Sequence, residues 1–340
     1  MVSVSQIAQA ADVSIATASR VLRNPDNVRT AGQKRVLAAA SRLGYNLSGL
    51  MPGRSTRQIL FLAFENVLSA SSFFSTACNL VVDGVNRVIA PKGYNLLVSA
   101  VGLDEMPPPS LLRKEVDGVI FHGKVSREFR EKYFQGIPVV GVQYVDLDID
   151  CSCVKIDNRV ITALAVRHLA AHGHRKIVFL SDESDSLHTK ERLAGFREAM
   201  CDCGLQLQPD WECCWQRELV NGLLPPFSAA DGFAERLIPL FSGKDRPTAL
   251  IGADFYRALI GAQILQDKLQ LQVPRDISII GSSSQAPMLA NVSWINDRFD
   301  DVCSEAAKLL LEVIDHGQNV VKTVALRPFL NHGETVRRLQ

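Results

Sequence analysis

The 340-residue sequence lacks any apolar run of the roughly 18 residues that a membrane-spanning helix requires. Its start also lacks the positively charged segment followed by an apolar stretch that characterises a secretory signal peptide. We therefore expect a soluble cytoplasmic protein with no membrane partner. Hydrophobic residues make up 47% of the chain, which is enough to give each of two or three domains its own core.

Sequence motifs of common enzyme classes are missing as well. There is no G-x-S-x-G nucleophile elbow, no G-x-x-x-x-G-K-[ST] phosphate loop and no H-E-x-x-H metal-binding helix. The glycine-serine run at 281–284 has the wrong spacing for a nucleophile elbow. The sequence thus disfavours an enzyme, and we expect no cofactor.

Cysteine occurs eight times, but its spacing argues against disulfides. Cys201 and Cys203, like Cys213 and Cys214, stand too close in the chain to bridge each other well. No histidine accompanies them at the spacing of a zinc finger, so we expect reduced thiols and no bound metal. A cytosolic small-molecule sensor, or a metal- or redox-responsive regulator that uses these cysteines, is the alternative interpretation of the function.

Acidic residues are scarce in one region of the chain. Residues 1–57 contain eight Lys or Arg residues but only Asp12 and Asp26, a net charge of +6, so the remainder carries −5. A basic segment attached to a mildly acidic body is typical of a polyanion binder, because neutralised phosphates supply most of the non-specific affinity for DNA.

The same region predicts three short helices. Apolar residues at helical spacing precede a turn at 12–14, Ser14 can cap a second helix over 15–22, and a third helix is predicted over 30–43. The pattern is that of a helix-turn-helix with a supporting third helix. The expected buried positions are Ile7, Ala8, Ala11, Val13, Ala18, Val21, Leu22, Val36, Leu37, Ala40 and Leu43.

In a helix-turn-helix the second helix lies in the major groove, and its N-terminal turn faces the base edges. Ile15 and Ala16 are suited to meet a thymine methyl group, and Arg20 can pair with guanine through two hydrogen bonds. The other residues of this region that we expect to contact DNA, several of them through phosphates, are Ser14, Thr17, Ser19, Asn24, Arg29 and Lys34.

Short apolar runs alternate with amphipathic helical segments in the rest of the chain. This alternation predicts parallel sheets, and the strands are too many for one compact lobe. Strands are predicted at 59–64, 95–101, 118–121, 138–142, 176–180, 249–252 and 278–280.

The opening segment VSQIAQAADVSIATASRVLRNPDNVRTAGQKRVLAAASRLGYN resembles the DNA-binding headpiece of the LacI/GalR family of bacterial repressors. The later segments VDGVIF, GIPVVGV, HLAAHGHRKIVFL, RLAGFREAM and VPRDISIIG are similar to landmarks of the same family in the same order. The resemblance implies an N-terminal all-α helix-turn-helix headpiece at 1–48 and a hinge at 49–58. It also implies an α/β body at 59–340, like a periplasmic binding protein, for effector binding and dimerisation.

The implied body has two Rossmann-like lobes joined by three chain crossings, with a ligand cleft at the strand ends between them. One lobe is expected at about 59–157 plus 286–317, and the other at about 158–285 plus 318–340, which includes a strand near 322–327. The expected function is that of a sequence-specific transcriptional regulator, a repressor, that binds a pseudo-palindromic DNA operator as a homodimer.

The hinge departs from the family pattern. In the family this segment is a short helix that inserts a leucine into the minor groove, but two glycines and a proline oppose a helix here. Arg54 occupies the position of the leucine, and an arginine suits a narrow A·T-rich minor groove better than the unstacking of bases. Leu50 or Met51 could act as a shifted wedge.

The cleft departs from the pattern too. The family's sugar-binding arginine is retained as Arg192, whereas Gln143, Ala253 and Ser283 replace its usual acidic and amide companions. We expect the charge of Arg192 to be balanced by a ligand, by a nearby acid such as Asp254, or by water. Such a cleft favours an anionic or mixed apolar and polar ligand over a typical neutral sugar; a pocket that responds to no small molecule is the alternative. The residues expected to bind ligand are Phe73, Phe74, His122, Gln143, Arg192, Asp254 and Ser283.

Overall fold

In the computed structural model of the chain, the described residues are 3–23, 30–43, 56–64, 77–102, 106–143, 151–182, 187–215, 230–286, 291–316 and 320–339. Within them the helices are α1 (Val4–Ala11), α2 (Ile15–Arg23), α3 (Ala31–Arg42), α4 (Cys78–Ile89), α5 (Pro109–Leu112), α6 (Arg127–Phe129), α7 (Asn158–Ala171), α8 (Leu187–Asp202), α9 (Ala230–Phe241), α10 (Phe255–Leu269) and α11 (Phe299–His316). None of these helices is both long and apolar enough to cross a membrane.

The strands of the same residues are β1 (Gln58–Phe64), β2 (Asn95–Val101), β3 (Gly118–His122), β4 (Val139–Val142), β5 (Ser152–Ile156), β6 (Ile177–Asp182), β7 (Glu212–Trp215), β8 (Ala249–Gly252), β9 (Ser278–Ser283), β10 (Trp294–Asn296), β11 (Thr323–Leu326) and β12 (Phe329–Asn331). Every strand predicted from an apolar run is present, with ends that agree to within three residues.

The first three helices pack around a small core of their own. Ser3 begins α1 with a capping box, in which the Gln6 amide donates to the Ser3 hydroxyl at 3.3 Å and the Ser3 amide donates to the Gln6 side chain at 2.8 Å. Asp12 ends the helix in the left-handed conformation and turns the chain toward α2. The predicted helix-turn-helix is therefore confirmed. Its buried side chains are Ile7, Ala8, Ala11, Ala18, Val21, Leu22, Val36, Ala39 and Ala40.

One prediction for this core is wrong, because Leu43 is exposed. Helix α3 ends at Arg42, so Leu43 leaves the helical spacing that would place it beside Val36 and Ala40. Ala39, which the sequence pattern did not single out, fills the core instead.

Two six-stranded sheets form the body within the described residues. The first has the order β11-β5-β4-β3-β1-β2, and the second has the order β12-β10-β9-β8-β6-β7. Neighbouring strands are parallel except for the antiparallel pair β10 and β12. We call the first sheet with α4, α5, α6 and α11 the first lobe, and the second sheet with α7 to α10 the second lobe.

Two strands belong to other lobes than predicted. β11 pairs with β5 of the first sheet, although the sequence analysis placed this strand in the second lobe. β10 pairs with β9 of the second sheet, although residues 286–317 were assigned to the first lobe. The reason is that the chain extends the second sheet by one short strand before it crosses to α11, and it crosses back only after β11.

Three crossover segments, at 156–158, 296–299 and 326–329, connect the lobes. The Asp157 amide donates to the Leu326 carbonyl at 3.0 Å, and the Arg298 guanidinium donates to the Arg327 carbonyl at 3.3 Å. The crossovers are thus bonded to one another.

Helices α4 and α11 approach each other closely at Gly84, which is buried in the first lobe. A Cβ atom at Gly84 would lie 2.3 Å from the Asp300 carbonyl oxygen and 2.9 Å from the Cys303 Cβ. Only glycine fits between the two helices at this distance.

We expect Gly84→Ala to lower the free energy of unfolding by about 1 to 3 kcal/mol, because overpacking forces the helices apart. Urea unfolding followed by circular dichroism measures the loss. The matched control is Gly243→Ala, where the nearest atom to an added Cβ is 4.0 Å away. Equal effects of the two substitutions would contradict the close packing of α4 and α11.

Candidate nucleic-acid interface and ligand cleft

The start of α2 is fixed by two hydroxyl groups. The Thr17 amide donates to the Ser14 hydroxyl at 3.1 Å, and the two hydroxyl oxygens are 2.9 Å apart. Ser14 therefore caps α2, as predicted, and Thr17 supports the cap. Their predicted phosphate contacts stay predictions.

The outer face of α2 differs sharply from its buried face. Ile15, Ala16 and Arg20 are exposed, and the Ile15 side chain remains 59% accessible, whereas Ala18 and Val21 are buried against the other helices. The helix therefore presents an apolar side chain and a guanidinium on one rigid surface. Ser19 is partly buried, and Lys34 is exposed on α3.

Charge at the helix ends favours an anionic partner for this region. None of α1, α2 and α3 has an acidic residue in its first turn. The positive ends of their dipoles are therefore not balanced by a carboxylate there, and phosphate groups are suited to that place.

Seven predicted site residues lie outside the described residues. They are Asn24 and Arg29 near α2, Leu50, Met51 and Arg54 of the hinge, and Phe73 and Phe74 of the cleft.

The cleft residues come from strand ends of both lobes. His122 ends β3 and Gln143 follows β4 in the first lobe, whereas Asp254 follows β8 and Ser283 ends β9 in the second. These are carboxyl ends of parallel strands, the usual position of ligand sites in open α/β sheets.

Arg192, on α8, lies at the centre of a polar cluster in the second lobe. Its Nε donates to the Asn158 side-chain oxygen at 3.0 Å, and its Nη1 donates to the Ser282 hydroxyl at 2.9 Å and to the Ala253 carbonyl at 2.5 Å. Its Nη2 lies 3.8 Å from the Asp297 carboxylate, and the two side chains are only 11% and 14% exposed. Desolvation lowers the pKa of Arg192, and the carboxylate of Asp297 opposes that effect.

The expected charge partner of Arg192 is thus corrected. Asp297, which follows β10, provides the carboxylate of the ion pair, and Asp254 adds a second negative charge that favours the charged guanidinium. Asp254 caps α10 by accepting from the Arg257 amide at 2.8 Å, and it also pairs with the Arg257 guanidinium. Within the described residues, both guanidiniums of the second lobe's side of the cleft therefore have a carboxylate partner.

Asp297 is itself held in place from two sides. The Ser284 hydroxyl donates to its carboxylate, and its amide donates to the Ser283 carbonyl at 3.1 Å. Desolvation raises the pKa of Asp297, while the charge of Arg192 lowers it.

Gln143 and Ser283 direct their side chains to nearby backbone. Gln143 has a left-handed backbone, with φ of 64°, and its side-chain oxygen accepts from the Ile156 amide at 3.0 Å. The Ser283 hydroxyl donates to the Gln285 carbonyl at 2.7 Å. Both residues therefore stabilise segments of the cleft wall, and their contact with a ligand stays a prediction.

Two buried histidines, one from each lobe, influence each other electrostatically near the cleft. His122 packs edge-on against Phe299 with ring centroids 5.9 Å apart, and desolvation lowers its pKa to about 4. His188, on α8, has a pKa lowered to about 3 by desolvation and by the nearby charges of Arg192, His122 and Arg257. Both imidazoles are therefore neutral at neutral pH.

Family models match the helical headpiece and most of the body. The model for bacterial regulatory proteins of the lacI family matches residues 3–47. The model for a periplasmic binding protein-like domain matches residues 166–336, which is half of the chain, and that for periplasmic binding proteins and the sugar binding domain of the LacI family matches residues 82–221.

The chain belongs to the LacI family of bacterial regulatory proteins. It is 27% identical over 355 residues to the HTH-type transcriptional repressor PurR of Vibrio vulnificus (strain CMCP6), covering 100% of both chains. It is 26% identical over 330 residues to the ribose operon repressor of Escherichia coli (strain K12), covering 93% of each chain. Its fold matches the lac repressor dimer bound to operator and the anti-inducer ONPF with a TM-score of 0.63, at 18% identity and 99% coverage of both chains.

Three residues that hold Arg192 in this LacI-family protein were not predicted from the sequence. Asn158 belongs to the K-I-D-N segment before α7, so its position at a crossover was a usable signal. Ser283 was predicted to bind ligand, and its neighbour Ser282 was not singled out. Because side chains alternate along a strand, only one of the two points toward Arg192, and it is Ser282. Asp297 gave no signal, because the preceding strand has only three residues.

Two buried cysteines, Cys153 and Cys213, give little support to the redox alternative. Desolvation raises the pKa of Cys153 and of Cys213 to about 12, which keeps these thiols protonated and unreactive. No group of three or more His, Cys, Asp or Glu side chains in the described part of the chain is arranged to hold a metal ion.

Arg20→Ala tests base reading by α2. We expect it to cost about 1 to 3 kcal/mol of binding free energy on the specific site and much less on random DNA, because a bidentate contact with guanine is lost. Lys34→Ala, which removes a presumed phosphate contact, should weaken both alike and is the control. Titration at fixed salt measures the affinities; equal losses on the two DNAs for Arg20→Ala would remove it from base reading.

Asp297→Asn tests the buried charge pair. We expect it to lower the free energy of unfolding by about 2 to 4 kcal/mol, because Arg192 then lacks a carboxylate partner in a buried place. Denaturant unfolding measures the loss, and the double variant with Arg192→Met should lose less than the sum of the single losses. The control, Asp202→Asn, removes an exposed pair with Arg167 and should change stability by less than about 1 kcal/mol. Additive losses at 192 and 297 would show that the two side chains do not interact.

Proposed function

We propose that this LacI-family protein is a repressor that binds a pseudo-palindromic DNA operator as a homodimer and responds to a small molecule in its cleft. The observation that carries the proposal is α2, which presents Ile15, Ala16 and Arg20 to solvent on a rigid three-helix scaffold. One such helix reads too few base pairs to specify a site, whereas a two-fold pair reads two half-sites.

Selection from random double-stranded DNA tests the DNA-binding part of the proposal. The native protein should enrich a site with two inverted half-sites, and sedimentation should find two chains on each duplex. Enrichment of a single half-site, or of no sequence at all, would overturn the proposal.

The cleft proposal rests on the donors of Arg192. Its Nε and Nη1 are occupied by hydrogen bonds, but Nη2 is beyond hydrogen-bonding distance of Asp297 at 3.8 Å. Nη2 is therefore the guanidinium nitrogen that is best placed to donate to an acceptor oxygen of a ligand. Because Asp297 balances the charge of Arg192, the arginine does not require an anionic ligand as its charge partner. A neutral sugar is then disfavoured only by Gln143 and Ser283. These two residues occupy positions at which the family resemblance implies carboxylates.

A thermal-shift screen of neutral sugars, sugar phosphates and small carboxylates tests the cleft. We expect at least one class to raise the melting temperature of the native protein by mass action, and Arg192→Met to remove that shift. The matched control on the same helix is Arg197→Met, because Arg197 pairs with Glu212 at 2.6 Å instead of with cleft residues. A ligand shift that survives Arg192→Met would place the ligand elsewhere, and no shift in any class would favour regulation without a small molecule.

A further inference from the structure

An ion pair joins the two lobes beside the cleft. Lys155 lies in β5 of the first lobe, Glu191 lies on α8 of the second, and their charged groups are 2.9 Å apart. The side chains are 30% and 18% exposed, so the pair is less screened by water than a surface pair. Its strength therefore depends on how the lobes are placed relative to each other.

The same glutamate is linked to the arginine of the cleft. One carboxylate oxygen of Glu191 accepts from Lys155, and the other accepts from the Asn158 amide group at 3.1 Å. The side-chain oxygen of Asn158 in turn accepts from Arg192 Nε at 3.0 Å. The result is one continuous polar chain from the first lobe, through Lys155, Glu191 and Asn158, to Arg192.

This chain can transmit a displacement because its middle member has little freedom. Asn158 is only 2% exposed, and its amide cannot rotate without placing a donor against the guanidinium and an acceptor against the carboxylate. If Arg192 moves toward a ligand, Asn158 has to follow it or lose a buried hydrogen bond. Either response changes the hydrogen bond that Asn158 donates to the Glu191 carboxylate. It thereby changes the strength of the ion pair between Glu191 and Lys155.

Other ion pairs near Glu191 lack this arrangement. Arg159 pairs with Glu198, and Arg167 pairs with Asp202 at 3.3 Å, but both pairs join α7 and α8 within the second lobe. Their side chains are more than half exposed. They provide matched controls of the same chemistry between the same two helices.

We propose that Glu191 is a positioning residue that couples the state of Arg192 in the cleft to the relative placement of the two lobes through Lys155. The inference rests on the proposed function, since the cleft is there the site of regulation. Glu191 has this role because its side chain contacts both Lys155 of the first lobe and Asn158, which binds Arg192 of the cleft.

The first test measures lobe placement and requires neither ligand nor operator. Spin labels are introduced through non-natural amino acids at two exposed positions, Glu128 of the first lobe and Lys268 of the second. The distribution of distances between the two labels is measured by pulsed electron paramagnetic resonance. Glu191→Gln and Lys155→Met should each shift or broaden the distribution, whereas Lys155→Arg should preserve it. Glu198→Gln should leave it unchanged. A distribution that is the same in all of these proteins would overturn the proposal.

The second test measures operator affinity of the full-length protein on the selected DNA site. Glu191→Gln and Lys155→Met should each change affinity by about fivefold or more, the low end of measured coupling between sites. The double variant should change it no more than either single variant, because both remove the same link. A merely structural role would lower the melting temperature but leave the affinity of the folded protein unchanged, and that result would overturn the proposal.

The two tests separate failure of this inference from failure of the proposed function. If the native protein selects no DNA site, the proposed function fails, and the spin-label distances still decide the coupling. If the native protein binds its operator and the variants bind it equally well, only the coupling fails. Should Glu191→Gln not fold, Lys155→Met carries both measurements.

Discussion

The burial of one guanidinium organises the second lobe. Arg192 is almost fully enclosed, and a buried charge is tolerated only when it is paired and hydrogen-bonded. Asn158, Ser282 and Asp297 meet that requirement from a crossover, a strand end and the segment that leaves β10. Because these residues come from distant parts of the sequence, the charge can be satisfied only when the helices, the strand end and the crossover are assembled together.

The two ends of the molecule serve different kinds of recognition. The headpiece buries small aliphatic residues so that three short helices hold one exposed face in a fixed orientation. Each lobe of the body has larger cores of its own, and the lobes are joined by crossovers that are bonded to one another. Lobes joined only by short segments can in general change their mutual angle, and a ligand shifts such an equilibrium only by binding one arrangement more tightly than the other.

Sequence patterns predicted the parts whose causes are local. The capping residue Ser14, the apolar spacing of α1 and α2 and the longer strands follow from periodicity and cap chemistry, and the structure contains them. The pattern failed where partners are distant. Strands of three residues such as β10 carry too little periodicity, the lobe of β11 depends on pairing with β5, and the acid that balances Arg192 lies more than a hundred residues along the chain. The replacement of the family's acidic residues suggested that Arg192 lacks a carboxylate partner in the protein. Asp297 supplies that carboxylate from another element.

We propose that the exposed face of α2 reads a DNA sequence from a two-fold dimer. This is tested most directly by the affinity of the native protein for its selected operator and for a scrambled duplex of equal length, at one fixed salt concentration. We expect the two affinities to differ by at least about a thousandfold, with two chains on each operator. Equal affinity for the two duplexes would mean that the basic headpiece binds phosphates without reading bases, and it would contradict base reading by α2.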